Sequence, residues 1–322
     1  MKVLIIGYGS IGQRHARNLS DLGIELVICE TNETRRLQAI HDIPQARVFG
    51  WTEENSQIGA AIICIPPKDH IPALKVCVER GWHTFIEKPI GTKKSDIPAI
   101  QGLLSGAEDR GLVVQCGYQL RYHRGVQELA LHVRRWNSVG NIHGFRAIFG
   151  QRLEDWVPDR DYRDTYLKHT GIILDSSHEI NYLQMIFGKV QEVFCNWDQV
   201  SSLQLAPGVE DTADIMLRME SGVVGTVHLN MTWRDYKRGC TIWGEKGEIL
   251  WKYPYTDVVG GKDYPCQCSA NEPYVLEIDD FLQKIYGGKA DVSSAEDALE
   301  TLKVCVAAKK SGDEGRWVAV QC

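Results

Sequence analysis

Residues 1–118 alternate between short, continuously apolar runs and amphipathic stretches, and this alternation constrains the fold more than any other feature of the chain. "KVLII", "ELVICE", "AAIICIPP", "HTFIEK" and "LVVQCGY" read as strands. "SIGQRHARNLSDLG", "ETRRLQAIHD", "KDHIPALKVCVERG" and "SDIPAIQGLLSGAEDRG" read as the helices between them, with Gly23 and Gly81 as stop signals. A strand with no polar alternation has no face to give to water. It must be covered on both sides, which means a parallel sheet flanked by helices. The first half is therefore predicted to be a doubly wound α/β domain ending near Tyr118.

The pattern changes after that. A helix, "GVQELALHVRRW", is followed by runs that alternate. In "VVGTVHLNMTW", Val223, Gly225, Val227, Leu229 and Met231 face one way, and Val224, Thr226, His228 and Asn230 the other. "TADIMLRME", "GCTIWG" and "GEILWKY" repeat the pattern, which suits a large, open, mainly antiparallel sheet with one covered face. "EPYVLEIDDFLQKIYG" and "SAEDALETLKVCVAAKK" read as late helices, and Tyr253 to Asn271 as a long loop. The predicted organisation is an N-terminal domain over 1–118 and a C-terminal α/β substrate and oligomerisation domain over 119–322. A late helix near 294–310 is available to pack back on the first domain.

"GYGSIG" places Gly7, Gly9 and Gly12 in a G-x-G-x-x-G pattern after a strand and at the head of a helix, with Glu30 closing the next strand. In that setting the pattern is a Rossmann dinucleotide fingerprint. Gly7 permits the tight turn, Gly9 leaves room for a pyrophosphate, and Gly12 lets helix and strand pack closely. Ser10 and Ile11 sit at the helix N-terminus, whose N–H groups and dipole favour phosphate. Glu30 suits ribose hydroxyls and repels a 2′-phosphate, which favours NAD over NADP. Arg35 and Arg36 argue the other way, because both can reach a phosphate; they also read as solvated helix residues.

Ligands of open parallel sheets sit beyond the carboxyl ends of the strands. "CIPP" with Pro66, Pro67 and, further on, His70 lies at one such end, and "EKP" with Glu87, Lys88 and Pro89 at another. A lysine there can stabilise alkoxide charge or shuttle a proton, with Glu87 orienting it; by spacing alone an exposed surface lysine is an equal reading. In "GIILDSSHEINYLQMIFG", Asp175 and His178 are three apart, which on one helix puts them on one face. His178 has the chemistry of a general base near neutral pH, although a capping aspartate beside a packed histidine is the plainer reading of these residues alone. The stretch from 150 to 171 and "GYQLRYHRG" are dense in charge and aromatics. They offer Gln119, Arg121, Tyr122, Trp156, Arg160 and Tyr162 as substrate contacts.

The order "GYGSIG", "PP" with His70, "EKP" and "D" with "HE" resembles the Gfo/Idh/MocA oxidoreductases over essentially the whole chain. That resemblance implies a Rossmann domain joined to a domain with a large open sheet, and oxidation or reduction of hydroxyls on sugars, inositols and nucleotide sugars. By the same likeness Lys88, Asp175 and His178 match the catalytic lysine, aspartate and histidine. The three-residue step from Asp175 to His178 departs from the four-residue step of many members. It resembles the surface-polysaccharide group, which makes C3 of a UDP-N-acetylhexosamine the expected target. Free sugar or inositol dehydrogenases, NAD-dependent glycosidases and a non-catalytic NAD(H) sensor are the alternatives.

A net charge of −6 across 322 residues speaks against nucleic acid as a partner. No apolar run reaches membrane-span length, and a cytoplasmic location is expected. None of the ten cysteines has zinc-ligand spacing, so no metal is expected. An open sheet with an apolar outer face points to a homodimer or homotetramer.

Overall fold

The computed structural model describes residues 1–50, 57–156, 163, 166–258, 262–264, 269–288 and 292–320; the side chains of 156, 255–258 and 262–264 fall outside that description. The described residues form two compact units. One comprises Met1–Gly91, Ser95–Gln119 and Asn271–Leu299, the other Thr92–Lys94, Leu120–Ala270 and Glu300–Cys322.

The first unit holds six strands: β1 (Lys2–Ile6), β2 (Glu25–Cys29), β3 (Arg47–Phe49), β4 (Ile58–Ile63), β5 (His83–Glu87) and β6 (Val114–Gly117). All pair in parallel, in the order β3-β2-β1-β4-β5-β6. Between them run α1 (Ser10–Asp21), α2 (Glu33–Asp42), α3 (His70–Arg80) and α4 (Asp96–Glu108). The strand order reverses between β1 and β4, which opens the crevice at their carboxyl ends where dinucleotides bind. Strand β3 escaped the sequence reading because it is only three residues long and lacks an apolar run.

The second unit begins with α5 (Arg124–Arg134), β7 (Ile142–Gly150) and the single turn α6 (Leu153–Trp156). A π-helical turn, Tyr166–Thr170, leads into α7 (Gly171–Asp175) and α8 (His178–Phe187). Strands β8 (Val190–Asp198), β9 (Thr212–Met219), β10 (Val224–Asn230), β11 (Lys237–Gly244), β12 (Gly247–Lys252), β13 (Tyr255–Val258) and β14 (Lys262–Tyr264) follow. The nine-stranded sheet has the order β14-β13-β12-β11-β7-β10-β9-β8-β15, closing with β15 (Val318–Ala319). It is mixed: β7 and β10 pair in parallel, and the other neighbours antiparallel. The alternation predicted for β10 is present. Val227, Leu229 and Met231 are buried, Thr226 is exposed and His228 partly exposed, but Asn230, expected on the same face as Thr226 and His228, is buried at the end of the strand.

Two sequence expectations need correction. The predicted loop from Tyr253 to Asn271 contains β13 and β14, which extend the sheet as a hairpin; its glycine- and proline-rich composition hid two short strands. The domain predicted as 119–322 is also interrupted. Helix α9 (Glu272–Ile285) belongs to the first unit, where Ile278, Phe281 and Leu282 join the core formed by Val3, Ile5, Leu19, Ile28, Ile62 and Phe85. The last helix, α10 (Ala295–Glu314), begins in the first unit and continues in the second. Burial of an apolar face, not sequence order, decides which core a helix joins.

Candidate active site

The glycine-rich turn leaves β1 at Gly7, whose φ of 95° lies in the left-handed region. A Cβ there would sit 2.8 Å from the Cys64 carbonyl oxygen, so Gly7 is required twice, by conformation and by space. A Cβ at Gly12 would lie 2.0 Å from the Gly7 carbonyl oxygen, which keeps α1 tight against the turn. At Gly9 a Cβ would meet nothing within 4 Å; this is the N-cap of α1, and it opens onto space beside the first-turn N–H groups of Ser10 and Ile11. The three glycines thus do two different jobs, packing at 7 and 12 and access at 9.

Glu30 follows β2 directly and is buried. Its Oε2 accepts the Tyr8 N–H at 2.7 Å and its Oε1 the Asn32 N–H at 2.8 Å. These bonds hold the carboxylate against the glycine-rich turn. An ionised carboxylate has about four acceptor positions, so capacity remains for ribose hydroxyls. Arg36 donates to the Thr31 carbonyl at 2.6 Å and more weakly to the Glu30 carbonyl at 3.2 Å, while Arg35 is half-buried. An open N-cap glycine, a free helix N-terminus and a fixed acid at the end of β2 fit an NAD dinucleotide.

Lys88 stands one residue past β5 and is half-buried. Glu87 before it is held from two sides. Its Oε1 lies 2.7 Å from His15 Nε2 on α1, and its Oε2 accepts the Lys88 N–H at 3.2 Å. Pro66 and Pro67 shape the turn that precedes α3. The ring of His70, expected among the cofactor contacts, is buried and sits between two backbone carbonyls. Nδ1 lies 2.9 Å from the Pro89 carbonyl oxygen and Nε2 2.8 Å from that of Ile65, so the ring brackets the turns after β4 and β5. Burial pushes its pKa below the usual value, against the pull of the two carbonyls.

In the second unit, Asp175 ends α7 and His178 begins α8, with Ser176 and Ser177 forming a turn between them. The expectation of a single helix carrying both is therefore corrected: two helices meet here. All four residues are buried. The entry into α7 is shaped by Gly171, with φ of 64°, and by Glu210. Glu210 Oε1 accepts the Ile173 N–H at 2.9 Å, its backbone carbonyl accepts the Ile172 N–H at 3.0 Å, and Lys309 Nζ lies 2.8 Å from Oε2. Burial raises the Glu210 carboxyl above its ordinary pKa, and Lys309 pulls the other way.

Behind His178, Glu179 is buried against Arg238, with Nε 2.7 Å from Oε1 and Nη2 donating to Oε2 at 3.4 Å. Burial lowers the Arg238 pKa, but the Glu179 carboxylate outweighs it and holds the guanidinium firmly charged. Asn181 accepts from Arg121 Nε at 2.7 Å and donates to Thr301 Oγ1 at 2.9 Å. Arg121 is buried in this brace and supports α8 through its Nε. Tyr122 is buried as well, and Gln119 donates to the Tyr274 hydroxyl at 3.1 Å. Arg160 and Tyr162 lie outside the described residues, as does the side chain of Trp156. Sequence reasoning missed Glu210, Arg238 and Thr301, since each acts on a residue far away in the chain.

Comparison with known proteins places this architecture. Residues 1–118 match the oxidoreductase family profile with an NAD-binding Rossmann fold, and residues 132–250 match the GFO/IDH/MocA C-terminal domain. The chain belongs to the Gfo/Idh/MocA family of NAD-binding oxidoreductases. It is 24% identical to a myo-inositol 2-dehydrogenase of Thermotoga maritima, over 100% of this chain and 99% of that protein. It is 23% identical to a scyllo-inositol 2-dehydrogenase (NAD+) of Bacillus subtilis, covering 98% and 95%. The fold matches the WlbA dehydrogenase of Bordetella pertussis, solved with NADH and UDP-GlcNAcA, with a TM-score of 0.84 at 19% identity, covering 100% and 99%. Among the described residues no helix is long and apolar enough to cross a membrane.

Proposed function

We propose that this protein oxidises a ring hydroxyl of a nucleotide-linked sugar, C3 of a UDP-N-acetylhexosamine, with NAD as acceptor. The observation that carries the reading is in the first unit: a glycine turn and acid that fit the dinucleotide, with Lys88 leaving β5 two strands from that turn. NAD, when bound, supplies the acceptor for the hydride that leaves the substrate carbon. His178 takes the hydroxyl proton, a task suited to an imidazole near neutral pH. Asp175 holds the ring or a neighbouring hydroxyl. Lys88 stabilises negative charge on the oxygen as the proton leaves. Trp156 and Tyr162 are assigned to stacking, Arg160 to the diphosphate, and Gln119 and Tyr122 to the sugar.

The three-residue step from Asp175 to His178 supports the nucleotide-sugar reading. End-to-end likeness to inositol dehydrogenases favours a second one, a free cyclitol substrate. The deciding experiment is a panel of nucleotide sugars, free hexoses and inositols with NAD and with NADP, following absorbance of the reduced cofactor. Stoichiometric reduced cofactor and a keto-sugar from a UDP-sugar support the first reading. Turnover confined to inositols replaces it with the second. A cleaved sugar without net NADH indicates a glycosidase, and tight NAD binding without turnover a sensor. Lys88→Ala and His178→Ala should each lower kcat by about 10²–10⁴-fold. Wild-type kcat in either variant would remove that residue from the mechanism.

We also assign a homodimer or homotetramer to the outer face of the nine-stranded sheet. Met216, Trp243 and Leu250 are exposed there, and sedimentation of the wild type against Met216→Asp tests the assignment.

A further inference from the structure

The core of the first unit contains a polar cluster that the proposed chemistry does not use. His15 from α1, Glu87 from the end of β5 and Glu277 from α9 converge, with one nitrogen or oxygen of each within 4.8 Å of the others. His15 is fully buried and Glu277 is 1% exposed. Both carboxylate oxygens of Glu277 are buried without a hydrogen-bond partner among the described residues, and so is Nδ1 of His15. Arg14 lies nearby, but its guanidinium sits over the Tyr274 ring, 4.2 Å from the centroid. Buried charges are normally paired or coordinate metals, because removing a carboxylate from water without compensation is costly. A second carboxylate facing the first raises that cost, which either a proton or a bound cation relieves.

We propose that His15, Glu87 and Glu277 form a binding site for a divalent transition-metal cation, of which Zn²⁺ is the simplest probe. One imidazole and two carboxylates are a nitrogen and oxygen donor set for such ions, and two carboxylates neutralise a dication. In tetrahedral coordination, bonds of about 2.0–2.2 Å put ligand atoms roughly 3.3–3.6 Å apart, so a limit of 4.8 Å calls for a contraction of at most about 1.5 Å, within reach of side-chain adjustment around the metal. The 2.7 Å contact between His15 Nε2 and Glu87 Oε1 must open slightly, and the imidazole gives up a proton if Nε2 binds. The three ligands stand on rigid elements, with the His15 ring edge-on to Phe85 at 5.3 Å. A bound ion would tie α9 to α1 and β5 and would hold Glu87 beside Lys88. The inference does not depend on which hydroxyl the enzyme oxidises.

The test uses the full-length protein, stripped with a chelator and dialysed, then titrated with ZnCl₂ by calorimetry and followed by thermal melting. One equivalent per chain and a raised Tm are expected. Glu277→Gln and His15→Gln should each weaken binding at least ~10–100-fold, a loss seen even for groups outside the ligand shell. Cobalt(II) added to the wild type should show a visible spectrum of nitrogen and oxygen ligation without thiolate charge transfer. If one variant does not fold, the other variant and the cobalt spectrum decide. Failure of the wild type to take up metal, full uptake by both variants, or a thiolate band would each overturn the site and leave an ordinary His15–Glu87 hydrogen bond.

Discussion

Glu30 at the end of β2 accepts the backbone N–H of Tyr8 at 2.7 Å, inside the glycine-rich turn itself. The residue proposed to choose the cofactor therefore also sets the shape of the turn that receives it. Glu30→Ala should weaken NAD binding more than NADP binding. It should also cost about 1.5–3 kcal/mol of stability, the scale of a lost hydrogen bond to a charged group. Cofactor titration and urea unfolding of the same variant separate the two effects. A larger loss for NADP would reverse the cofactor assignment.

The glycines can be told apart by their surroundings. Gly9→Ala meets open space and should leave Tm unchanged while weakening NAD. Gly12→Ala pushes a methyl group to 2.0 Å from a backbone oxygen and should cost at least about 1–3 kcal/mol, as overpacking does. Melting curves with and without NAD compare them. A Gly9→Ala variant that unfolds early would contradict the division of roles.

His70 makes stability depend on pH. Its folded-state pKa lies below the unfolded value because burial disfavours the imidazolium. Its contribution is present above the unfolded value of about 6.5 and is lost as pH falls towards the folded one. Urea midpoints should thus drop between pH 7 and pH 5 more steeply for wild type than for His70→Gln. Parallel slopes would show that other groups govern this window.

The Glu179–Arg238 pair is buried beside His178, so removing one partner strands the other. Glu179→Ala should lose about 3–5 kcal/mol, whereas Glu179→Leu combined with Arg238→Met should recover most of it. Denaturant unfolding of the single and double variants measures the recovery. If the single change is neutral, the pair does not anchor α8.

Much of the first unit was legible because its signals are local. A strand, G-x-G-x-x-G, a helix and an acid after the next strand lie within thirty residues, and each is read from neighbouring positions. The alternation of β10 was equally plain. The meeting of α7 and α8 was not, since "LDSSHE" carries the same i, i+3 spacing whether one helix runs through it or two helices abut. Nor was the brace on α8, because Asn181 and Thr301 are 120 positions apart and no periodicity links them.

The sequence by itself determined the doubly wound parallel sheet, the dinucleotide turn and the alternating sheet, because apolar period and glycine placement are consequences of backbone geometry. Only the tertiary structure decided that α9 joins the first core, that Glu210 shapes the entry to α7, and that His15, Glu87 and Glu277 converge. Those outcomes depend on which buried surfaces and charges find partners across long stretches of chain, and that is settled by packing in three dimensions.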